Sequence, residues 1–243
     1  MPNIYGVLPV LEALRAGARR IDRIVVAEGA RDARLRKVIE AARQGGVPVR
    51  REPRVALDRL TSNANHQGVV AVASVATYAD AVSLLNLVSP TTIFILLDGI
   101  EDPHNLGAII RTAECGGATA VIVPERRAAH ISDVVAKTSA GAVEHLPVAR
   151  VTNLASFIEA LKEHNVWVVG VEGSGSITYT DFDYRGALAL VFGGEGRGLH
   201  RLVRERCDAV VSIPMRGKVS SLNVSVAVGV VLFEALKQRS RLK

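Results

Sequence analysis

The spacing of hydrophobic residues changes near residue 90, and this change divides the chain into two parts. In the front part, apolar residues three and four positions apart predict helices, and short apolar runs predict strands. The predicted helices cover 7–16 and 34–44, and the predicted strands cover 21–27, 47–49 and 68–73. Glycine follows each helix, at Gly17 and Gly45, as expected of a helix end. The front part is therefore predicted to be a small α/β unit.

Beyond Pro90 the apolar runs become continuous, which is typical of strands buried on both faces of a parallel sheet. Predicted strands cover 93–97, 118–123, 148–150, 166–171 and 187–192. Helical spacing separates them over 106–115, 131–139 and 155–164. Strands that alternate with helices predict a parallel α/β domain. We therefore divide the chain into a front domain (1–76), a linker containing a helix over 78–89 (77–89) and a parallel α/β domain (90–243).

The end of the chain predicts a strand, a polar basic loop and a long helix. Val210–Ile213 is a short apolar run that Pro214 ends. Over 222–235 only three of fourteen side chains are polar, and this run is too long for an ordinary strand. Ser220 or Ser221 is suited to cap the helix. A helix that is apolar on nearly every face is either buried in its own domain or covered by another subunit.

Composition narrows the class of protein. Hydrophobic residues make up 49% and charged residues 22% of the 243 residues, as in an ordinary globular protein. The longest apolar run is too short for a membrane span, and the first ten residues lack the basic start of a leader peptide. Two cysteines without a CxxC pattern favour a reducing compartment. We therefore expect a cytoplasmic protein that does not enter a membrane.

The positive charge is concentrated at the front of the chain. The net charge is +6, and residues 1–59 contain 13 Lys and Arg against 7 Asp and Glu, so this quarter supplies the whole excess. A basic surface attracts polyanions, although a modest excess is also common on an ordinary solvated face. The front domain is therefore a candidate for binding nucleic acid.

Three loops after predicted strands of the second domain carry the candidate chemistry. They cover 98–111, 192–199 and 214–223. The carboxyl ends of parallel strands meet at one edge of a sheet, so these loops are expected to converge. Arg111 follows on a mostly apolar helix face, where an arginine is usually paired or bound to an anion. The glycines of the second loop would let a ligand approach bare backbone. The alternatives are a capping role for Asn105 and a glycine turn without function.

Familiar ligand motifs are absent from these loops. The glycines after Phe192 do not have GxGxxG spacing, Val219 stands where a phosphate-binding P-loop requires Ser or Thr, and there is no GxSxG. Glu101, Asp102 and His104 have poor spacing for a metal site, with no cysteine or second histidine close in sequence. We therefore expect no metal.

Taken together, the three loops resemble the motifs of the SpoU (TrmH-like) family of RNA ribose 2′-O-methyltransferases, within the SPOUT superfamily. The matching segments occur in family order: NLGAIIRTA at 105–113, LVFGGEGRGL at 190–199, and IPM at 213–215 with SSLNVSVA at 220–227. The front of the chain, at 4–14 and 66–69, resembles the small RNA-binding domain of the branch that methylates guanosine in large-subunit (23S) rRNA.

The resemblance implies a C-terminal α/β trefoil-knot (SPOUT) domain with a parallel sheet. It also implies a small N-terminal α/β RNA-binding domain like those of ribosomal proteins L30e and L7Ae. The implied cofactor is S-adenosylmethionine and the implied substrate is rRNA. A homodimer built on the knot and the last helix is implied as well, and it suits the apolar helix over 222–235.

The resemblance also assigns roles to residues of the three motifs and of the front domain. Backbone at four positions is expected to bind the cofactor: Gly193, Gly194, Ile213 and Leu222. Five residues are expected to form the catalytic cluster: Arg111, Asn105, Glu195, Ser221 and Asn223. Front-domain arginines are expected to bind RNA phosphates: Arg15, Arg19, Arg20 and Arg23.

The arginine of the family's first motif, which Arg111 matches, is often described as the base. A guanidinium, however, keeps its proton far above neutral pH. We therefore expect Arg111 to bind the target phosphate and favour a developing alkoxide, with the proton lost to phosphate or water. Three alternatives remain: a tRNA ribose methyltransferase of the same family, an antibiotic-resistance rRNA methyltransferase of the same fold, or a non-catalytic RNA-binding protein. The intact catalytic motifs argue against the last.

Overall fold

Main-chain hydrogen bonds assemble the chain into two sheets, each in its own compact unit. The computed structural model describes residues 3–30, 33–194, 196 and 198–240. The first unit consists of Met1–Thr77 and His130–His145, and the second of Tyr78–Ala129 and Leu146–Lys243. A segment from the middle of the chain therefore belongs to the first unit.

The described elements follow in chain order. The strands are β1 (Asn3–Tyr5), β2 (Ile21–Ala27), β3 (Val49–Glu52), β4 (Val69–Ala73), β5 (Ile93–Asp98), β6 (Ala120–Pro124), β7 (Val148–Val151), β8 (Trp167–Val171), β9 (Ile177–Thr178), β10 (Leu188–Gly193) and β11 (Ala209–Ser212). The helices are α1 (Val7–Ala16), α2 (Ala33–Gln44), α3 (Arg54–Leu60), α4 (Ala81–Leu85), α5 (Pro103–Cys115), α6 (Asp133–Thr138), α7 (Leu154–Glu163), α8 (Arg201–Arg206) and α9 (Val224–Ser240). One 3₁₀ turn covers Ala142–Glu144.

The first unit is built on a four-stranded sheet in the order β1-β4-β2-β3. Strand β4 is antiparallel to both neighbours, and β2 is parallel to β3. Side chains alternate along β4, so Val69 and Ala71 join the core formed with α1 and α2. Val70 points the other way and packs with Leu57 of α3. Helices therefore cover both faces of this sheet.

The segment from the middle of the chain is held in the first unit by charged side chains. Helix α6 packs against β1, and the 3₁₀ turn packs against α1. Arg19 forms a two-pronged ion pair with Glu144, with its Nε 2.8 Å from Oε2, and the two side chains are only 8% and 2% exposed. Lys137 donates a hydrogen bond from Nζ to the carbonyl oxygen of Asn65 at 3.1 Å. A buried ion pair thus joins parts of the chain 125 residues apart.

The second unit contains a seven-stranded sheet in the order β7-β6-β5-β10-β8-β11-β9, and every neighbouring pair in it is parallel. Strands β5, β6 and β7 follow one another outward on one side of β10, whereas β8, β11 and β9 lie on its other side. The strand order therefore reverses between β5 and β10, which is where open α/β sheets bind ligands. The parallel α/β class expected from the sequence is confirmed.

Helices cover both faces of the parallel sheet. Alternate side chains such as Phe94 and Leu96 of β5 pack with α4, α7 and α8. Helices α5 and α9 pack together, and α9 also contacts β10. The approach of α5 and α9 is close, because a Cβ at Gly116 would lie 2.5 Å from Cδ2 of Leu232. The long apolar helix thus buries one side against its own unit.

Arg239 fixes the end of α9. Its Nε donates to the carbonyl oxygen of Tyr184 at 3.0 Å, and its Nη1 donates to that of Thr91 at 2.9 Å. Its Nη2 also donates to the carbonyl oxygen of Gly186. These carbonyls belong to the loops that lead into β5 and β10, so the last helix is tied to the amino-terminal side of the central strands.

Most predicted elements are present, with ends that differ by a few residues. Helix α5 begins at Pro103 instead of Leu106, because Asp102 caps it and accepts a hydrogen bond from the backbone N–H of His104 at 2.9 Å. Helix α9 begins at Val224, so Asn223 stands at the capping position in place of Ser220 or Ser221.

Some expectations were wrong in position or length. The brief strand expected over 47–49 lies instead at Val49–Glu52, and the helix expected over 78–89 is reduced to Ala81–Leu85. Strands β1 and β9 and helix α3 were not predicted. All three are short, and none carries a long enough apolar pattern to be recognised. Across the part of the chain that the structure describes, no helix has the length and apolar character to span a membrane.

We expect removal of one partner of the Arg19–Glu144 pair to destabilise the first unit. Arg19→Met leaves a buried carboxylate without its partner, which costs about 3–5 kcal/mol. Hydrogen–deuterium exchange of peptides from α1 and α6 measures this as faster amide exchange. The matched control is Arg20→Met. The Arg20–Asp22 pair lies at the surface, where Arg20 is 87% exposed, so loss of this ion pair costs less than about 1 kcal/mol. Equal exchange rates in the two variants would show that the buried pair does not hold the segment.

Candidate active site

Three loops meet at the carboxyl edge of the parallel sheet. They follow β5, β10 and β11, and β10 lies directly beside β5. The backbone N–H of Gly194 donates to the carbonyl oxygen of Asp98 at 2.9 Å, so the first two loops are joined by a main-chain hydrogen bond. The convergence expected from the sequence is therefore present.

A cavity of about 700 Å³ opens at this edge. Its lining includes the four residues expected to bind a cofactor, and the glycines of the second loop: Gly193, Gly194, Gly196, Gly198, Ile213 and Leu222. Met215 adds an apolar side chain that is partly exposed, and Leu222 adds a second one. A ligand in this cavity would contact exposed main-chain groups together with apolar side chains.

Two of the lining glycines are required by close packing of the backbone. A Cβ at Gly193 would lie 2.1 Å from the carbonyl carbon of Gly198, and a Cβ at Gly194 would lie 2.4 Å from the carbonyl oxygen of Gly99. Real Cβ atoms do not approach other atoms this closely. The two positions therefore exclude every side chain, which keeps the backbone bare where the loops cross.

Glu172 places a negative charge in the wall of the cavity. Its carboxylate accepts hydrogen bonds from the hydroxyl of Ser174 at 2.6 Å, the backbone N–H of Leu199 at 3.2 Å and Nε of Arg204 at 2.9 Å. Burial opposes its ionisation, but these hydrogen bonds and the charge of Arg204 outweigh burial and lower the pKa of Glu172 below its ordinary value. The group therefore stays ionised at neutral pH and can attract a cationic or hydroxyl-bearing ligand.

A hydrogen bond between two asparagine side chains joins the first and third loops. Nδ2 of Asn223 donates to Oδ1 of Asn105 at 2.9 Å. The orientation of Asn223 is set by its other amide atom, because Oδ1 accepts from the backbone N–H of Ser225 at 2.9 Å and from its hydroxyl at 2.6 Å. Asn223 and Ser221 line the large cavity. Three of the expected catalytic residues are therefore close to one another.

The other two expected catalytic residues stand apart from this group in different ways. Arg111 is exposed on α5, lines neither cavity described here, and makes no hydrogen bond or ion pair with the residues that the structure describes. Glu195 lies outside the described residues. The proximity of Asn105, Ser221 and Asn223 is therefore the part of the expected cluster that the geometry shows.

A second cavity of about 360 Å³ adjoins the first. The two share Gly194 and Gly198, and Asn105 lines the smaller one while its partner Asn223 lines the larger. Acidic and basic side chains complete the smaller cavity: Asp98, Glu101, Asp102, Arg127 and His200. Among the residues with described positions, no group of three or more His, Cys, Asp or Glu is arranged to hold a metal ion.

Sequence reasoning missed the pairing of Asp98 with His200. Nδ1 of His200 lies 2.9 Å from Oδ1 of Asp98, and the backbone N–H of His200 donates to Oδ2 at 2.7 Å. Two features of the sequence could have indicated that these residues are close. Asp98 ends a predicted buried strand, and His200 directly follows the glycine-rich loop. Parallel strand order alone brings these ends together, but nothing in the sequence pattern indicates that the two side chains pair.

The four arginines expected to bind RNA differ in accessibility within the first unit. Arg20 is 87% exposed and Arg15 is 56% exposed, and each has an acidic neighbour on the surface. Arg19 is buried in its pair with Glu144. The buried Nε of Arg23 has no hydrogen-bond partner among the described residues. Arg15 and Arg20 are thus the two that present their charge to solvent.

Comparison with protein families gives two matches that together cover most of the chain. The model described as "SpoU rRNA Methylase family" matches residues 92–233. The model described as "RNA 2'-O ribose methyltransferase substrate binding" matches residues 3–79.

Curated proteins and solved structures resemble the whole chain. The 23S rRNA (guanosine-2'-O-)-methyltransferase RlmB of Escherichia coli (strain K12) is 42% identical over 239 residues, covering 98% of this chain and 98% of that protein. The RlmB protein of Xylella fastidiosa (strain 9a5c) is 42% identical over 240 residues, covering 98% and 96%. The SpoU methyltransferase AviRb from Streptomyces viridochromogenes, solved in complex with the cofactor AdoMet, has a TM-score of 0.82 at 26% identity and covers 98% of this chain and 90% of that one.

Proposed function

The chain belongs to the SpoU rRNA methylase family, and from that premise we propose that it methylates the ribose 2′-hydroxyl of a guanosine in 23S rRNA. The observation that carries the proposal is the hydrogen bond between Asn105 and Asn223, which joins the first and third family motifs beside a glycine-lined cavity. Near-full-length similarity to proteins named for this activity supports the choice of substrate.

S-adenosylmethionine is the methyl donor of this family, and the large cavity suits it. Apolar side chains such as Met215 and Leu222 fit an adenine ring, and main-chain groups around Gly193, Gly194 and Ile213 fit its polar edge. The ionised Glu172 fits ribose hydroxyls or an ammonium group. When bound, the cofactor supplies an electrophilic methyl group on sulfur.

The protein's own contribution to catalysis is chiefly positioning and charge. Asn105, Ser221 and Asn223 orient the ribose so that its 2′-oxygen lies in line with the methyl group, and such alignment supplies a large part of the rate. Arg111 keeps its proton, binds the target phosphate and stabilises the negative charge that develops on the oxygen. Glu195 is included in the proposed cluster because it lies in the second family motif.

We assign the front of the chain (1–76) to binding the RNA, 77–89 to a linker, and 90–243 to methyl transfer; the two family matches support this division. Exposed Arg15 and Arg20 are the front-domain arginines best placed to bind phosphates, with Arg23 beside them in sequence, while Arg19 chiefly supports the fold. The front domain is proposed to be of the ribosomal L30e/L7Ae type. The proposed site of action is the cytoplasm, where its rRNA substrate is found.

The proposed assembly is a homodimer whose subunits each contain a trefoil knot. Helix α9 buries Val228, Val231 and Leu232 within its own unit, but Val226 and Phe233 are each 50% exposed on the same helix. Exposed apolar side chains on a helix of this kind suit contact with a second subunit. The deep knot is proposed from family membership together with the tie between α9 and the loops before β5 and β10.

Transfer of labelled methyl groups tests the proposed function. Purified protein is incubated with labelled S-adenosylmethionine and either 23S rRNA from a strain lacking this methylation or bulk tRNA. We expect label in 23S rRNA at one guanosine, mapped by nuclease digestion and mass spectrometry to the ribose. Label confined to tRNA would support the alternative tRNA enzyme, and no label in any pool would support a non-catalytic RNA-binding protein.

Gly193→Ala should weaken cofactor binding, because the new Cβ would overlap the backbone of Gly198 and displace the loop. Overpacking of this kind costs about 1–3 kcal/mol, so the Kd for S-adenosylmethionine measured by calorimetry should rise about tenfold or more. The control is Gly217→Ala, where a Cβ meets nothing within 4 Å. If both variants bind the cofactor as the wild type does, the cavity is not the cofactor site.

Arg111→Ala and Asn223→Ala should reduce methyl transfer while the protein remains folded. For Arg111→Ala we expect loss of detectable transfer with unchanged cofactor affinity, because the residue lies outside the cavity lining. For Asn223→Ala we expect a fall of about 10²-fold or more in kcat, since one orienting hydrogen bond in the site is lost. Circular dichroism and sedimentation verify folding and assembly. Near-normal turnover in Arg111→Ala would exclude it from the catalytic cluster.

A further inference from the structure

The Asp98–His200 pair has the geometry of a fixed imidazole. Asp98 is the last residue of the central strand β5 and only 6% exposed. Its two carboxylate oxygens contact one residue, the backbone N–H of His200 at 2.7 Å and Nδ1 of the ring at 2.9 Å. These two contacts hold both the main chain and the ring of His200.

This arrangement leaves one ring nitrogen available. An ionised carboxylate only accepts hydrogen bonds, so Nδ1 of the neutral ring carries the proton and donates it to Asp98. Nε2 then has a free lone pair. The His200 side chain is 45% exposed and lines the smaller cavity, so a ligand there can reach the ring. An acidic partner that orients an imidazole in this way is typical of a general base.

The smaller cavity adjoins the cavity proposed for the cofactor. It shares Gly194 and Gly198 with the proposed cofactor cavity, and Asn105 at its edge is bonded to Asn223 in that cavity. Its carboxylates, Glu101 and Asp102, can accept hydrogen bonds from the N–H groups of guanine, and Arg127 can bind a phosphate. A nucleotide that enters this cavity therefore brings its ribose next to the methyl donor.

Resting on the proposed function, we propose that the smaller cavity holds the acceptor nucleotide and that Nε2 of His200 accepts the proton of its 2′-hydroxyl. In this step the bond between the ribose oxygen and the methyl carbon forms, and the bond between that carbon and sulfur breaks. The oxygen's proton passes to Nε2, and the sulfur leaves as a neutral thioether. The resulting imidazolium lies against the Asp98 carboxylate and later returns the proton to water.

A purely structural role is the competing explanation for the pair. Asp98 could serve only to hold His200 at the start of α8, since the backbone N–H alone already forms one of the two contacts. The two explanations differ in whether Nε2 matters, because the structural contacts use only the backbone N–H and Nδ1.

His200→Asn separates these explanations. The asparagine Nδ2 can replace Nδ1–H as donor to Asp98, but nothing replaces Nε2. We expect kcat for methyl transfer to 23S rRNA to fall about 10²–10⁴-fold, which is the usual contribution of a general base. The Kd values for cofactor and RNA should stay within about twofold of those of the wild type. The matched control is His164→Asn, an exposed histidine at the end of α7 that is expected to change nothing.

A further readout responds only to a base. Imidazole added to His200→Ala should restore transfer in proportion to the imidazole concentration, because the ring position is open to the cavity.

The outcomes are distinct from those that test the proposed function. If wild-type protein transfers methyl groups to rRNA but His200→Asn retains a kcat within about twofold, the proposal for His200 is wrong and the enzyme assignment stands. A lower kcat in His200→Asn without imidazole rescue of His200→Ala would also overturn it. Absence of transfer by the wild type would overturn the proposed function itself.

Discussion

The close passage of bare backbone at Gly193, Gly194 and Gly198 is the constraint on which the site depends. No side chain fits at Gly193 or Gly194, because a Cβ there would lie 2.1 Å or 2.4 Å from neighbouring backbone atoms. The loops after β5 and β10 can therefore touch, and the N–H of Gly194 bonds to the carbonyl of Asp98. Two cavities adjoin this crossing and share Gly194 and Gly198.

In the proposed mechanism, the two cavities divide the chemistry of methyl transfer between them. The larger one offers apolar walls, main-chain groups and an ionised Glu172 for the methyl donor. The smaller one offers carboxylates, a basic side chain and an oriented imidazole for the acceptor. The Asn105–Asn223 hydrogen bond joins one residue of each cavity, so the proposal has one contact fix the relative position of both ligands. Positioning two reactants in this way removes much of the entropic barrier to a bimolecular reaction.

The hydrophobic pattern of the sequence predicted the features that depend on residues close together in the chain. The parallel sheet, the length of α1 and the convergence of three loops follow from apolar periodicity and from the rule that ligands bind at strand carboxyl ends. Side-chain pairs distant in sequence were not predictable: Asp98 meets His200 102 residues away, and Arg19 meets Glu144 125 residues away. The family resemblance and the charge count both left Arg19 among the expected RNA-binding residues, because neither reveals its buried partner Glu144. Nothing in the pattern indicated that residues 130–145 pack with the first unit.

The most direct test of the central claim is a map of ribose methylation in cells. The gene is deleted from its host, and 23S rRNA is examined by mass spectrometry after complementation with the wild-type chain or with Asn223→Ala. The account predicts that one 2′-O-methylguanosine disappears on deletion, returns with the wild type and stays absent with the variant. An unchanged methylation pattern in 23S rRNA after deletion, or full restoration by Asn223→Ala, would contradict it.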